Sequence, residues 1–113
     1  MKREPMLPGP IDLLVLAVVA RRPSHGYAII EALRLRSGGR LDLPEGTIYP
    51  ALYRLEQAGY LASDVQTVAG RGRRTYRPTR SGRAALRERR RAWRALVDSV
   101  DAVVGWGGAP GHG

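Results

Sequence analysis

Apolar residues fall along this chain in groups whose spacing changes from one group to the next. Between Ile11 and Val19 nearly every position is apolar (Ile11, Leu13, Leu14, Val15, Leu16, Val18, Val19), which predicts a central core helix over Pro10–Arg21. Pro10 suits a first helical turn, where its missing N–H costs little. Pro23 ends the helix, because the residue before a proline avoids helical backbone. Ala28, Ile29, Ala32, Leu33 and Leu35 give one buried side to a second helix over His25–Arg36. Ser24 is its expected N-cap and Ser37-Gly38-Gly39 its stop. After an extended Leu41-Asp42-Leu43 link, Ile48, Leu52 and Leu55 form a narrow stripe with Ala51 beside it. That stripe predicts a third helix over Pro44–Ala58, closed by a left-handed Gly59. Thr47, Pro50, Tyr53, Arg54 and Gln57 lie away from the stripe, and Pro50 predicts an irregular start.

The spacing then shortens. Tyr60–Val68 and Arg74–Pro78 carry β-branched residues and tyrosine and read as a hairpin with Ala69–Arg73 at its tip. Pro78 belongs at a strand end, since it donates nothing to a ladder. Thr79 or Ser81 caps a last helix over Arg80–Val104, of about 37 Å at 1.5 Å per residue. Its apolar positions, Leu86, Trp93, Leu96, Val97, Val100, Val103 and Val104, recur at three-four spacing, interrupted by Arg89-Arg90. The chain thus divides into an N-terminal arm (1–9), a helical domain with a β-hairpin (10–79), a long helix (80–104) and a glycine-rich tail (105–113). The fold class is mainly α with a β-hairpin.

Charge narrows the partners. The net charge is +9 over 113 residues, and residues 70–91 hold ten of the nineteen cationic side chains against one acid, Glu88. Such clustering favours an anionic partner, nucleic acid before a membrane surface. There is no cysteine, so disulfides and thiolate metal sites are excluded. His25 and His112 are far apart and lack a cluster of acids, so no metal or other cofactor is expected. The apolar run Leu13–Ala20 is far shorter than the about twenty residues a bilayer requires. With Asp12 before it and no cleavage site after it, the expectation is a cytoplasmic protein that does not enter membranes. Nothing resembles a nucleophile–base constellation or a phosphate-binding loop leading from strand to helix, so an enzyme is not expected.

A small helix with polar and aromatic groups on its open side, followed by a basic glycine-arginine hairpin, is how a winged helix-turn-helix reads DNA. The order His25-Gly26-Tyr27-Ala28-Ile29, then Gly46-Thr-Ile-Tyr-Pro-Ala-Leu-Tyr-Arg-Leu-Glu-Gln-Ala-Gly-Tyr-Leu61, then Arg74-Thr75-Tyr76 and Thr79-Arg-Ser-Gly82, resembles the PadR family of bacterial transcriptional regulators. The resemblance spans residues from about 10 to 104 and is carried chiefly by the Thr47–Gly59 run. Pro78 departs from it, standing where the wing strand usually carries an aliphatic residue. The resemblance implies a winged helix-turn-helix that dimerises through its C-terminal helix, usually as a repressor. The single last helix looks like the family's small subgroup.

Each motif has a functional and a plainer reading. On the third helix Thr47, Tyr49, Pro50, Tyr53 and Arg54 would face a major groove about 12 Å wide, Arg54 binding guanine or phosphate. Otherwise the tyrosines pack on the hairpin and Arg54 is solvated. Arg71, Arg73 and Arg74 would cross the DNA backbone or enter a minor groove, or else form a solvated loop. Ser24, His25 and Tyr27 surround a helix start whose N–H groups attract phosphate. The alternative there is a half-buried Tyr27, with Gly26 permitting close packing. The seam Leu86, Trp93, Leu96, Val97, Val100, Val103 and Val104 predicts a homodimer. Two Trp93 indoles near its two-fold would flank a small aromatic effector, or simply fill the dimer core. The expected function is regulation at a pseudo-palindromic double-stranded DNA operator. The alternative is a non-specific architectural or RNA-binding winged helix.

Overall fold

The computed structural model describes residues 9–105. Its elements are α1 (Gly9–Arg21), β1 (Ser24–His25), α2 (Gly26–Arg36), α3 (Glu45–Gln57), β2 (Leu61–Val68), β3 (Arg71–Pro78) and α4 (Arg80–Val104). Apart from Gly9 and Gly105, the expected arm and tail lie outside the described residues. Val15, Leu16 and Val19 of α1 meet Ile29 of α2 and Ile48, Leu52 and Leu55 of α3 in one core, all essentially without solvent contact. Leu61 and Tyr76 close it from the sheet side. Burying each such aliphatic side chain is worth about 1.5–3 kcal/mol, which explains why the near-continuous apolar run of α1 sits at the centre.

The sheet has three strands in the order β1-β3-β2, all antiparallel, where the sequence predicts a two-stranded hairpin. The added strand corrects the start of α2. Ser24 pairs with Tyr76 and His25 with Thr75. Ser24 is therefore strand, not N-cap, and its hydroxyl donates to the Arg22 carbonyl at 2.7 Å. The cap is His25, whose Nδ1 accepts the Ala28 N–H at 3.2 Å. Ladder pairing with β3 holds Ser24 in extended backbone, so the helix begins later and the longer imidazole reaches its open N–H.

The wing is also tighter than expected. Pairing continues to Val68 with Arg71, leaving a two-residue turn, Ala69-Gly70. Both turn residues have positive φ (53° and 78°), as a hairpin turn that matches strand twist requires. Arg71 and Arg73 consequently stand on β3 rather than in a flexible tip, and Arg74 lies well inside the ladder. Pro78 ends β3 opposite Leu61, where a missing donor does least harm. In α3 the Pro44 carbonyl accepts from both Thr47 and Ile48 N–H (2.9 and 3.1 Å), a shared first turn, and the helix then runs through Pro50.

The start of α4 is bolted to the end of α3. Thr79 caps α4 by accepting the Gly82 N–H at 3.0 Å. The Thr79 and Ser81 hydroxyls both donate to the Gly59 carbonyl, at 2.6 and 2.9 Å. The Thr79 N–H donates to the Tyr60 carbonyl at 3.1 Å. Gly82 is buried against that same carbonyl, where a Cβ would collide with backbone. Ala85 and Leu86 then pack on the core and Arg89 approaches Asp12 of α1; the molecule measures 57 Å in its longest dimension.

Candidate nucleic-acid interface

Four elements, β1, α2, α3 and β3, place aromatic and cationic side chains around one cleft of about 310 Å³. It is lined by His25, Gly26, Tyr27, Tyr49, Gly72, Arg73, Arg74 and Tyr76. The start of α2, Tyr49 of α3 and β3 each contribute to its lining. Gly26 makes this closure possible: a Cβ there would collide with the Tyr49 phenol. The glycine of the His-Gly-Tyr sequence therefore seats a tyrosine supplied by another helix. Tyr76 is buried beneath, and burial pushes its phenol up from the ordinary value, so it stays neutral.

His25 sets the electrostatics of the cleft. Its Nε2 lies 3.2 Å from Arg73 Nη1. Burial, and then the Arg73 charge, lower its pKa below the usual 6.5, so the ring is neutral at pH 7. A neutral imidazole has one acceptor nitrogen. Since Nδ1 accepts the Ala28 N–H, Nε2 carries the proton and faces the guanidinium donor to donor. An oxyanion seated beside the pair, about 2.7–2.9 Å from each nitrogen, satisfies both. The α2 N-terminus begins in this lining at Gly26 and favours an anion there as well.

Of the residues singled out from sequence, His25, Tyr27, Tyr49, Arg73 and Arg74 thus come together. Tyr27 is 60% exposed and Tyr49 42% exposed, so neither is an interior residue. Ser24 lies beside them in β1 but bonds within its own loop. Pro50 and Tyr53 occupy the open side of α3, and Thr47 is half-buried at its edge. Arg71 is at the far end of the wing, next to the turn. Arg74 donates to the Ser63 hydroxyl at 2.9 Å, which donates to Glu56 at 2.8 Å, tying the wing base to α3. Arg77 pairs across the hairpin with Asp64 at 2.7 Å.

Arg54 is placed unlike its neighbours. It reaches sideways from α3 to α1, where Nη2 donates to Asp12 Oδ1 at 2.8 Å while the side chain stays half exposed. Asp12 is a buried carboxylate in the most apolar helix of the chain, and sequence reasoning passed over it. The signal was present: a lone acid amid apolar positions needs a cationic partner.

The seam on α4 faces open space. Leu86 is partly buried against the chain's own core. Trp93, Leu96 and Val100 are 41–48% exposed and Val103 and Val104 more so, with Val97 intermediate. No helix among the described residues is long and apolar enough to cross a membrane, and no group of three metal-ligating side chains occurs among them.

Comparison with known proteins agrees with this architecture. The profile of the PadR-like family of transcriptional regulators matches residues 15–88. The chain belongs to the PadR-like family. It is 43% identical over 90 residues to the transcriptional regulator Rv3488 of Mycobacterium tuberculosis, covering 80% of this chain and 81% of that protein. The solved PadR family regulator from Eggerthella lenta is 33% identical with a TM-score of 0.75, over 83% of this chain and 80% of that one. The protein smu.1704 of Streptococcus mutans is 35% identical with a TM-score of 0.73, over 84% and 86%. The protein is a PadR-like transcriptional regulator with a winged-helix fold, and not an enzyme.

Proposed function

We propose that this regulator binds a pseudo-palindromic operator as a homodimer and represses the promoter it occupies. The observation that carries this is one shared surface: Tyr49 of α3, the start of α2, and Arg73 and Arg74 of β3 line a single cleft. In this reading α3 enters the major groove, with Tyr53, Thr47, Pro50 and Arg54 toward base edges and sugars. A backbone phosphate sits over the α2 start, taking His25 Nε2–H, Arg73 and the Tyr49 hydroxyl, with Ser24 and Tyr27 alongside. Arg71 and Arg74 extend the cationic track along the wing.

The exposed three-four seam supports the dimer: Trp93, Leu96, Val97, Val100, Val103 and Val104 are covered by a second copy. A two-fold then sets the recognition helices about 34–36 Å apart, one turn of duplex. A small aromatic molecule between paired Trp93 indoles changes that spacing and releases the operator.

Selection of bound fragments from the source genome at physiological salt tests the proposal. A dominant inverted repeat, preferred about 10³-fold or more over random duplex, is the expected result. Fragments without a common motif, and binding that collapses as salt rises, refute operator recognition and leave an architectural protein. For the effector step, operator affinity that ignores every aromatic compound screened, with unchanged Trp93 emission, removes that part.

A further inference from the structure

The Asp12 carboxylate sits between two arginines from the two helices that matter most. Arg54 of α3 holds Oδ1 at 2.8 Å; Arg89 of α4 stands 3.8 Å from Oδ2. Arg89 Nη1 is buried and has no hydrogen-bond partner, while its guanidinium lies over the Tyr60 ring, 5.5 Å from the centroid. One oxygen of the carboxylate thus accepts from Arg54 and the other has a waiting donor just beyond bonding distance.

We propose that Asp12 is a shared latch, holding Arg54 in the free protein and passing to Arg89 when Arg54 turns onto DNA. The inference rests on the operator-binding reading above. A buried carboxylate stripped of its partner is strongly unfavourable, so Arg54 leaves only if another cation takes its place. Arg89 needs to close only about 1 Å to reach the length of a charge-assisted bond. That movement satisfies the orphaned Nη1 and the released carboxylate together. Arg89 lies one turn before Trp93, on the same side of α4. Seating Arg89 therefore fixes the stance of the helix that carries the exposed seam. DNA contact by Arg54 and the α4 interface become linked, and by reciprocity anything that shifts α4 changes how readily Arg54 is released. Asp12 and Arg89 act as positioning residues and touch no DNA.

The test is equilibrium binding to the inverted-repeat duplex recovered by genomic selection, and to a random duplex of equal length. It uses wild type, Asp12→Asn, Arg89→Met and the double variant, each with a thermal melt. Arg89→Met is expected to weaken binding about tenfold, since Asp12 then retains Arg54. Asp12→Asn, whose amide needs no counter-charge, binds at least as tightly as wild type. In that background Arg89→Met has less than about a twofold effect. Equal weakening by Arg89→Met in both backgrounds overturns the latch, as does loss of affinity in Asp12→Asn with an unchanged melt.

A second measurement leaves Asp12 and Arg89 intact. With Trp106→Phe leaving Trp93 as the one indole, saturating duplex shifts Trp93 emission in the protein with Arg54 and not in Arg54→Ala. The same shift in both overturns the latch even if the Asp12 variants fold poorly. A wild type with no preference for the selected duplex refutes the operator reading and the latch with it. Preference retained with additive Asp12 and Arg89 effects refutes the latch alone.

Discussion

Gly26 and Gly82 each stand in the first turn of a helix, and adding one methyl group to each separates site from scaffold. Neither has positive φ, so alanine suits both backbones. At Gly82 the new Cβ meets the Tyr60 carbonyl oxygen and, at 2.9 Å, its carbon. That backbone is pinned by the Thr79 N–H and, through Gly59, by two hydroxyls, so it yields only by pulling α4 off α3. Overpacking of this kind costs about 2–3 kcal/mol. For a domain of this size it lowers the melting temperature by about 10–20 °C. At Gly26 the Cβ meets the far end of the Tyr49 ring, which is partly exposed and can swing to solvent. Alanine also gains a few tenths of a kcal/mol in helix propensity, so Gly26→Ala should melt within about 3 °C of wild type. With Tyr49 unseated, its operator affinity should fall about tenfold, matching Tyr49→Ala. The assays are thermal melts at one fixed protein concentration and binding to the selected duplex. A Gly82→Ala protein that melts like wild type, or a Gly26→Ala protein that loses stability equally, would refute the steric reasoning. Full operator affinity in Gly26→Ala refutes the role given to Tyr49.

Four further outcomes are expected. Val100→Glu puts a charge in the exposed α4 seam and should give a folded monomer by sedimentation, with operator binding lost; a retained dimer discards the seam as the interface. Arg73→Ala should weaken binding to all sequences alike and lower the slope of log affinity against log salt by about one, whereas an unchanged slope means no phosphate contact. The folded His25 pKa lies below 6.5, so the unfolded chain takes the proton first. Stability is therefore full above about pH 6.5, falls as pH drops through the window below it, and levels off beneath the folded pKa; His25→Asn, which can still cap, should flatten that dependence in melts across pH, and an unaltered slope refutes the assignment. Ala69→Asn should raise stability by about 0.5–1 kcal/mol, because alanine is held at φ 53° where asparagine is tolerated; a lower melting temperature would mean the turn differs.

The helices were legible because each announces itself locally. The bounds of α4 are those expected from the Thr79 cap and the three-four spacing, and α3 falls within the range set by its stripe and Gly59. Errors fell where partners distant in sequence compete for a segment. Ser24 is a good cap residue, yet pairing with Tyr76 takes it into the sheet and gives the cap to His25. The glycines near the wing tip read as loop, yet strand pairing runs on to a two-residue turn. The members of the candidate site were named from residue type and family resemblance, but their grouping was not. That Tyr49 rests on Gly26, or that Arg73 faces His25 from 48 positions away, follows from no spacing along the chain.

The sequence by itself determined what depends on neighbours a few residues apart. Helix periods, stops, the Thr79 cap of α4, the cationic wing and the apolar seam are all set by backbone geometry that repeats within a turn or a strand. The tertiary structure alone decided which charges from different elements meet. Asp12 and Arg54 are 42 residues apart, and Arg89 arrives from a third helix. Their encounter is forced by the packing of α1 against both α3 and α4, because a carboxylate buried by that packing must find its cations wherever the fold brings them.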